Sequence, residues 1–124
     1  MRNILLVFLG GGIGAGARYW LSGLVYGKFG SAFPYGTLAV NLIGCLLIGV
    51  LVTGMEERFI TNPTLRVFLT IGVLGGFTTF SSFSYETVAM LRDGELYHAA
   101  LNVMASVFLC VVGTWIGMQL GKLL

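Results

Sequence analysis

Apolar residues run along this chain in four long blocks: Ile4 to Tyr26 (23 residues), Gly36 to Met55 (20), Val67 to Leu91 (25) and Ala99 to Gly121 (23). A bilayer core takes about 20 apolar helical residues to cross, so each block predicts one membrane-spanning helix. The blocks absorb 91 of 124 residues, which leaves only connections and no second domain. Punctuation falls between them. Phe33-Pro34-Tyr35-Gly36 predicts a turn that opens the second span, with proline biasing Phe33 away from helix. Glu56, Glu57, Arg58, Thr61, Asn62 and Pro63 form a polar loop in which Asn62 or Thr61 caps the third span and Pro63 opens its first turn. Arg92-Asp93-Gly94-Glu95 closes that span.

Composition agrees: 56% of residues are apolar and 10% charged, less than half the charge of an ordinary soluble domain. The net charge of +2 is scattered singly near span ends and makes no patch suited to nucleic acid. Two N-terminal patterns imitate other functions. Arg2, Ile4 to Leu9 and Ala15-Gly16-Ala17 resemble a secretion signal, yet hydrophobicity resumes after Arg18, which favours an uncleaved span. Gly10-x-Gly12-x-x-Ala15 resembles a dinucleotide loop, but the acid needed about 20 positions later is missing, Glu56 being the first.

The 19 glycines read instead as packing. Lipid removes most of the hydrophobic drive between helices, so close backbone contact through small residues takes over. Small-xxx-small pairs occur at Gly10/Gly14, Gly12/Gly16, Gly23/Gly27 and Gly72/Gly76, with a triple at Gly113/Gly117/Gly121. Four spans put both chain ends on one side, together with the middle loop. That side carries Arg2, Arg58, Arg66 and Lys122; the other carries Lys28 and Arg92, with Arg18 close to it. Lysine and arginine asymmetry orients membrane proteins, and a bias this small permits insertion both ways round. An antiparallel homodimer is then accessible.

Candidate chemistry concentrates in the third span. Gly75-Gly76 followed by Thr78-Thr79 is a poor helix nucleus and predicts a break near the middle. Irregular backbone at that depth survives only when buried in protein or lining a polar cavity, and broken helices are a recurring way to build ion sites. Thr78, Thr79, Ser81, Ser82 and Ser84 interleave with Phe80 and Phe83, which share a face if the segment is helical. Thr37, Asn41, Gly44 and Ile48 form a stripe on the second span. Asn102, Ser106, Cys110, Gly113 and Gly117 form one on the fourth. Asn41 stands out because a lipid-buried amide must either bond another helix or line water; both readings stay open. Cys45 and Cys110 read as small apolar fillers rather than a disulfide or metal pair. Two charges remain inside spans, each costing about 2.5–3.5 kcal/mol on insertion scales. Arg18 reads as a snorkelling residue or a functional charge, and Glu86 as an interfacial or proton-coupling acid. His98 sits at an interface. No nucleophile with a base, metal-ligand spacing or phosphate loop can be assembled, so an enzyme is a weak reading.

Gly11-Gly12-x-Gly14-Ala-x-Ala-Arg18-Tyr19, Gly36-Thr-Leu-Ala-Val-Asn41-Leu-Ile-Gly44 and Gly72-x-x-Gly75-Gly76-Phe-Thr78-Thr79-Phe80-Ser-Ser-Phe83-Ser-x-Glu86 resemble the CrcB/Fluc fluoride channel family, in order and over nearly the whole chain. The resemblance implies an all-α, multi-pass protein of the bacterial inner membrane, an antiparallel dual-topology homodimer with two fluoride pores and a structural sodium ion (Na+) at its interface. It places Asn41, Phe80 and Phe83 on the fluoride path, with Thr37, Thr79 and Ser106 as further polar groups. Gly75 and Thr78 correspond to backbone carbonyl donors for sodium. Ser82 stands where the family usually has threonine, which keeps the hydroxyl. Passive export of fluoride, in contact with membrane lipid and no nucleic acid, is the function implied. A small proton-coupled exporter using Glu86 is the alternative, and a non-transporting assembly subunit a third.

Overall fold

The computed structural model describes residues 1–60 and 62–124. Among them every regular element is helical: α1 (Arg2–Phe29), α2 (Tyr35–Glu57), α3 (Pro63–Val67), a π-helical stretch (Phe68–Leu74), α4 (Gly75–Phe77), α5 (Phe80–Arg92) and α6 (Leu96–Lys122). Four helical units in the described residues are long and apolar enough to cross a membrane: α1, α2, the compound third span Pro63–Arg92 and α6. Each outlasts the apolar block that predicted it, because the polar residues at its ends continue the winding.

The connections follow local chemistry. Asn62 caps α3, its Oδ1 accepting from the amides of Thr64 at 3.0 Å and Leu65 at 3.1 Å. Thr61, the other cap suggested by the sequence, lies outside the described residues. Pro34 stands at the N-terminus of α2. Gly94 takes φ 78° in the tight turn between α5 and α6, a conformation that costs glycine little and other residues more.

Packing is by backbone contact. A Cβ added to Gly14 would lie 2.0 Å from Val73 O, and one added to Gly76 would lie 2.4 Å from Gly11 O, so α1 and the third span touch main chain to main chain. On the other side α2 meets α6: a Cβ on Gly117 would lie 2.1 Å from Leu46 O and one on Gly49 would lie 2.3 Å from Thr114 O. Gly12, Gly16, Gly23 and Gly27 have nothing within 4 Å, so of the three small-xxx-small pairs on α1 only Gly10/Gly14 packs within the bundle. Phe8, Trp20, Phe108 and Trp115 are exposed, as lipid-facing side chains are.

The third span changes neighbours along its length. Its first part, the π-helical stretch and α4, packs on α1, whereas α5 packs on α6. The switch happens at Thr78 (φ −90°, ψ 158°) and Thr79 (φ −151°, ψ 114°), both extended. The break therefore falls at the threonine pair, and Gly75-Gly76 stay helical. Gly76 is held in helix by its contact with Gly11, while the β-branched pair suits extended backbone.

Candidate functional site

Extended backbone in the middle of a membrane span frees main-chain groups that need partners. In a continuous helix the amide of Thr79 would bond to Gly75 O and that of Ser82 to Thr78 O. Instead, Thr79 N donates to Asn41 Oδ1 at 2.7 Å, and Ser82 N donates to Thr79 Oγ1 at 3.2 Å, which caps α5. Asn41 Nδ2 donates in turn to Thr79 O at 3.0 Å. One amide side chain on α2 thus grips both main-chain groups of Thr79, and one of its two N–H groups is left over. Gly44, one turn on, makes room: a Cβ there would lie 2.2 Å from the Thr78 methyl.

Arg18 reaches the same break from α1. Its Nε donates to Gly76 O at 3.1 Å, replacing the bond that the Phe80 amide would have made. A half-buried guanidinium on a freed carbonyl is not snorkelling to an interface, and the aromatic neighbours of Arg18 did not reveal it. Four carbonyls around the break differ in their partners: Gly76 O accepts from Arg18 and Thr79 O from Asn41, whereas those of Gly75 and Thr78 lose the amides that a continuous helix would give them.

The polar stripes of three spans converge on a cavity of about 370 Å³. Asn41, Gly44 and Cys45 line it from α2, Ser106 and Cys110 from α6, and Gly75, Thr78, Thr79, Phe80 and Phe83 from the third span. Phe80 and Phe83 lie side by side, ring centroids 5.3 Å apart and planes tilted by 45°. Their surroundings differ sharply: Phe83 is 9% exposed and Phe80 77%, so one ring is embedded in the chain and the other stands out from it.

Asn102 fixes this wall. At 1% exposure it is the most buried polar residue described; its Nδ2 donates to Thr87 Oγ1 at 3.0 Å and its Oδ1 accepts from Ser106 at 3.2 Å. Thr87 donates onward to Phe83 O at 2.8 Å. The chain of bonds ties Ser106 on α6 to the backbone that carries Phe83 on α5. Thr87 was not singled out from the sequence, although a hydroxyl four residues after Phe83 on a helix is placed to make that back-bond.

Thr37 does not line this cavity. It donates to Glu86 Oε1 at 2.6 Å, so its contact with Tyr26 Oη at 3.2 Å has the tyrosine as donor. The row Tyr26, Thr37, Glu86 joins three spans at the middle of α5. Glu86 Oε2 is buried and unpartnered among the described residues. Of the sequence-chosen groups, Asn41, Thr79, Phe80, Phe83 and Ser106 come together with Gly75 and Thr78. Thr37 and Glu86 form a second cluster, and Arg18 braces the break between α1 and α4.

Comparison with known proteins follows the same lines. Residues 5–118 match the family described as CrcB-like protein, Camphor Resistance (CrcB). A protein of Geobacter sulfurreducens named fluoride-specific ion channel FluC is 52% identical over 122 residues, covering 98% of each chain. Proteins of the same name from Geotalea daltonii, 49% identical with 98% of each chain covered, and Coxiella burnetii, 50% identical with 97% of this chain and 98% of that one covered, are similar along their length as well.

Proposed function

The chain belongs to the CrcB-like family, and from that premise and the geometry of the break we propose that it is a passive fluoride channel of the cell membrane, in bacteria the inner membrane, lowering internal fluoride. The observation that carries this reading is the meeting of an amide, hydroxyls and two phenyl rings on one cavity between the apolar spans. Fluoride is small and tightly hydrated, so passage requires fixed donors that replace its water. The spare N–H of Asn41 and the positive rims of Phe80 and Phe83 offer that set, and the hydroxyls of Thr79 and Ser106, whose single protons rest on Ser82 Oγ and Asn102 Oδ1, join it by rotating toward the ion. Thr37, on its Tyr26–Glu86 row, extends the polar groups toward one end.

The functional unit in this reading is a pair of inverted copies embedded in lipid. Three features support it: the small lysine and arginine bias, the exposure of Phe80, and a cavity lined on its open side by groups that one chain leaves uncovered. A structural sodium ion fits Gly75 and Thr78. Their carbonyls are hard oxygen donors without their helical amide partners, the kind of donor that unwound backbone gives to Na+. A twofold-related copy would contribute the same pair, since such an interface presents one patch twice. Bound there, sodium would offset the facing carbonyl dipoles and join the copies.

Efflux from vesicles containing only this protein, followed with a fluoride-selective electrode, tests the channel reading. Fluoride leaves down its gradient at a rate indifferent to a proton gradient. The partnerless Oε2 of Glu86 favours one competitor, a proton-coupled exporter. Proton-dependent flux that disappears in Glu86→Gln would establish that exporter in place of the channel.

A further inference from the structure

Two thiols on different spans meet in this protein, and neither the break nor the donor set uses them. Cys45 on α2 lies four residues after Asn41, and Cys110 on α6 lies four residues after Ser106, so each sits one helical turn along from a polar group of the cavity. Both line that cavity, both are half-buried, and both are free. Gly49 abuts Thr114 O where the parallel helices α2 and α6 touch, and Cys45 and Cys110 each lie one turn earlier on the same faces, so the two thiols hold facing positions along that contact. Read separately from the sequence they are fillers; brought together they are a ligand pair.

The elements that carry them are held rigidly. Gly49 and Gly117 allow α2 and α6 to touch at the backbone, as the 2.3 Å and 2.1 Å clearances left for a Cβ require, and a Cβ on Gly113 would lie 2.9 Å from Leu42 Cδ1. Ligands on packed helices keep their separation better than ligands on loops. No third histidine, cysteine or acid completes a higher-coordinate metal group among the described residues. Thiolates select soft metals, and two thiolates alone suit soft ions that accept linear coordination.

We propose that Cys45 and Cys110 form a two-thiolate site for a soft, linearly coordinated metal ion of the mercuric, silver or cuprous class, and that its occupation obstructs the adjoining cavity. With mercuric chloride two S–H bonds break, two Hg–S bonds form, and two protons and two chlorides leave, so no oxidant or reductant is needed. The neutral chloride complex can enter from lipid, and metal binding deprotonates the thiols as it occurs. The metal site stands independently of the channel reading; only the obstruction rests on it.

Reduced, purified protein is given an excess of mercuric chloride, then a larger excess of glutathione, and is desalted before the metal per chain is counted by elemental mass spectrometry. A monothiol competes well against one cysteine and poorly against two held together, since the second bond is intramolecular and worth about 10²–10⁴-fold. Wild type retains one mercury per chain, whereas Cys45→Ser, Cys110→Ser and the corresponding alanine variants retain it about 100-fold less tightly. Only variants that elute from gel filtration at the wild-type volume are compared. A single variant that holds mercury as well as wild type, or a wild type that takes two ions, overturns the shared site. In vesicles, mercury slows fluoride efflux from wild type and spares both serine variants. Retention by wild type with unchanged efflux overturns the obstruction, and the absence of fluoride efflux before any metal is added strikes the channel reading while leaving the metal count decisive.

Discussion

Asn41 is bound to Thr79 by two hydrogen bonds, and substitutions that break them unequally separate its structural role from its role toward an anion. Asn41→Leu removes both while roughly keeping the volume. Thr79 O retains a place in the first turn of α5, but Thr79 N loses its 2.7 Å acceptor in a region poor in water. Stranding a buried donor costs about 1–3 kcal/mol, and the second bond contributes about 0.5–1.5 kcal/mol. Together these are about 1.5–4.5 kcal/mol, or roughly 10- to 2000-fold in the folded-to-unfolded ratio. Asn41→Asp keeps an oxygen for Thr79 N and loses the donor to Thr79 O, which costs about 1 kcal/mol, and its carboxylate adds about 2.5–3.5 kcal/mol for a charge inside a span. It places a like charge on the anion path, however, and fluoride efflux stops. Reversible unfolding from mild detergent into denaturing detergent, run beside vesicle efflux, reads both quantities. Both variants should be less stable than wild type by several-fold or more in the folded-to-unfolded ratio, and the aspartate variant that remains folded should pass no fluoride. A leucine variant with wild-type stability and efflux would refute both roles, and with them the account of how the break is held.

Further outcomes follow from the same geometry. Phe80→Ile should slow efflux without loss of stability in the single chain, because Phe80 is 77% exposed, whereas Phe83→Ile at 9% exposure should lose both. A double Phe80, Phe83 variant that conducts normally would remove the rings from the path. Gly14→Ala, whose new methyl would lie 2.0 Å from Val73 O, should destabilise by about 1–3 kcal/mol or more, while Gly16→Ala, with nothing within 4 Å, should leave the same unfolding curve unchanged. Arg18→Leu strands Gly76 O and should cost about 1–3 kcal/mol; Arg18→Lys, which keeps a donor and a charge, should recover part of it in the same titration. A lysine variant as unstable as the leucine variant would show that the bond to Gly76 is not what Arg18 supplies.

Much was decided by the order of residues alone. The four spans are legible because crossing hydrocarbon demands about 20 apolar residues with satisfied backbone, a requirement that acts on each segment separately. The break in the third span is legible for a similar local reason, since Gly75-Gly76 and Thr78-Thr79 weaken helix where they stand. Which pair gives way was not. It depends on Gly11 pressing Gly76 into helix and on Asn41 waiting beside Thr79, contacts across 65 and 38 positions of chain.

Partner choice among polar side chains belongs wholly to the tertiary structure. Helical spacing puts Thr37 and Asn41 on one stripe, yet Thr37 turns to Glu86 and Asn41 to the break, because the third span leaves α1 for α6 between them. The same crossing sends Arg18 to a freed carbonyl instead of an interface, while the glycine contact of α2 with α6 brings Cys45 and Cys110 to one cavity. Periodicity states which direction a residue faces on its own helix; only the packing of four helices, with their glycines setting how closely backbones approach, states what stands opposite.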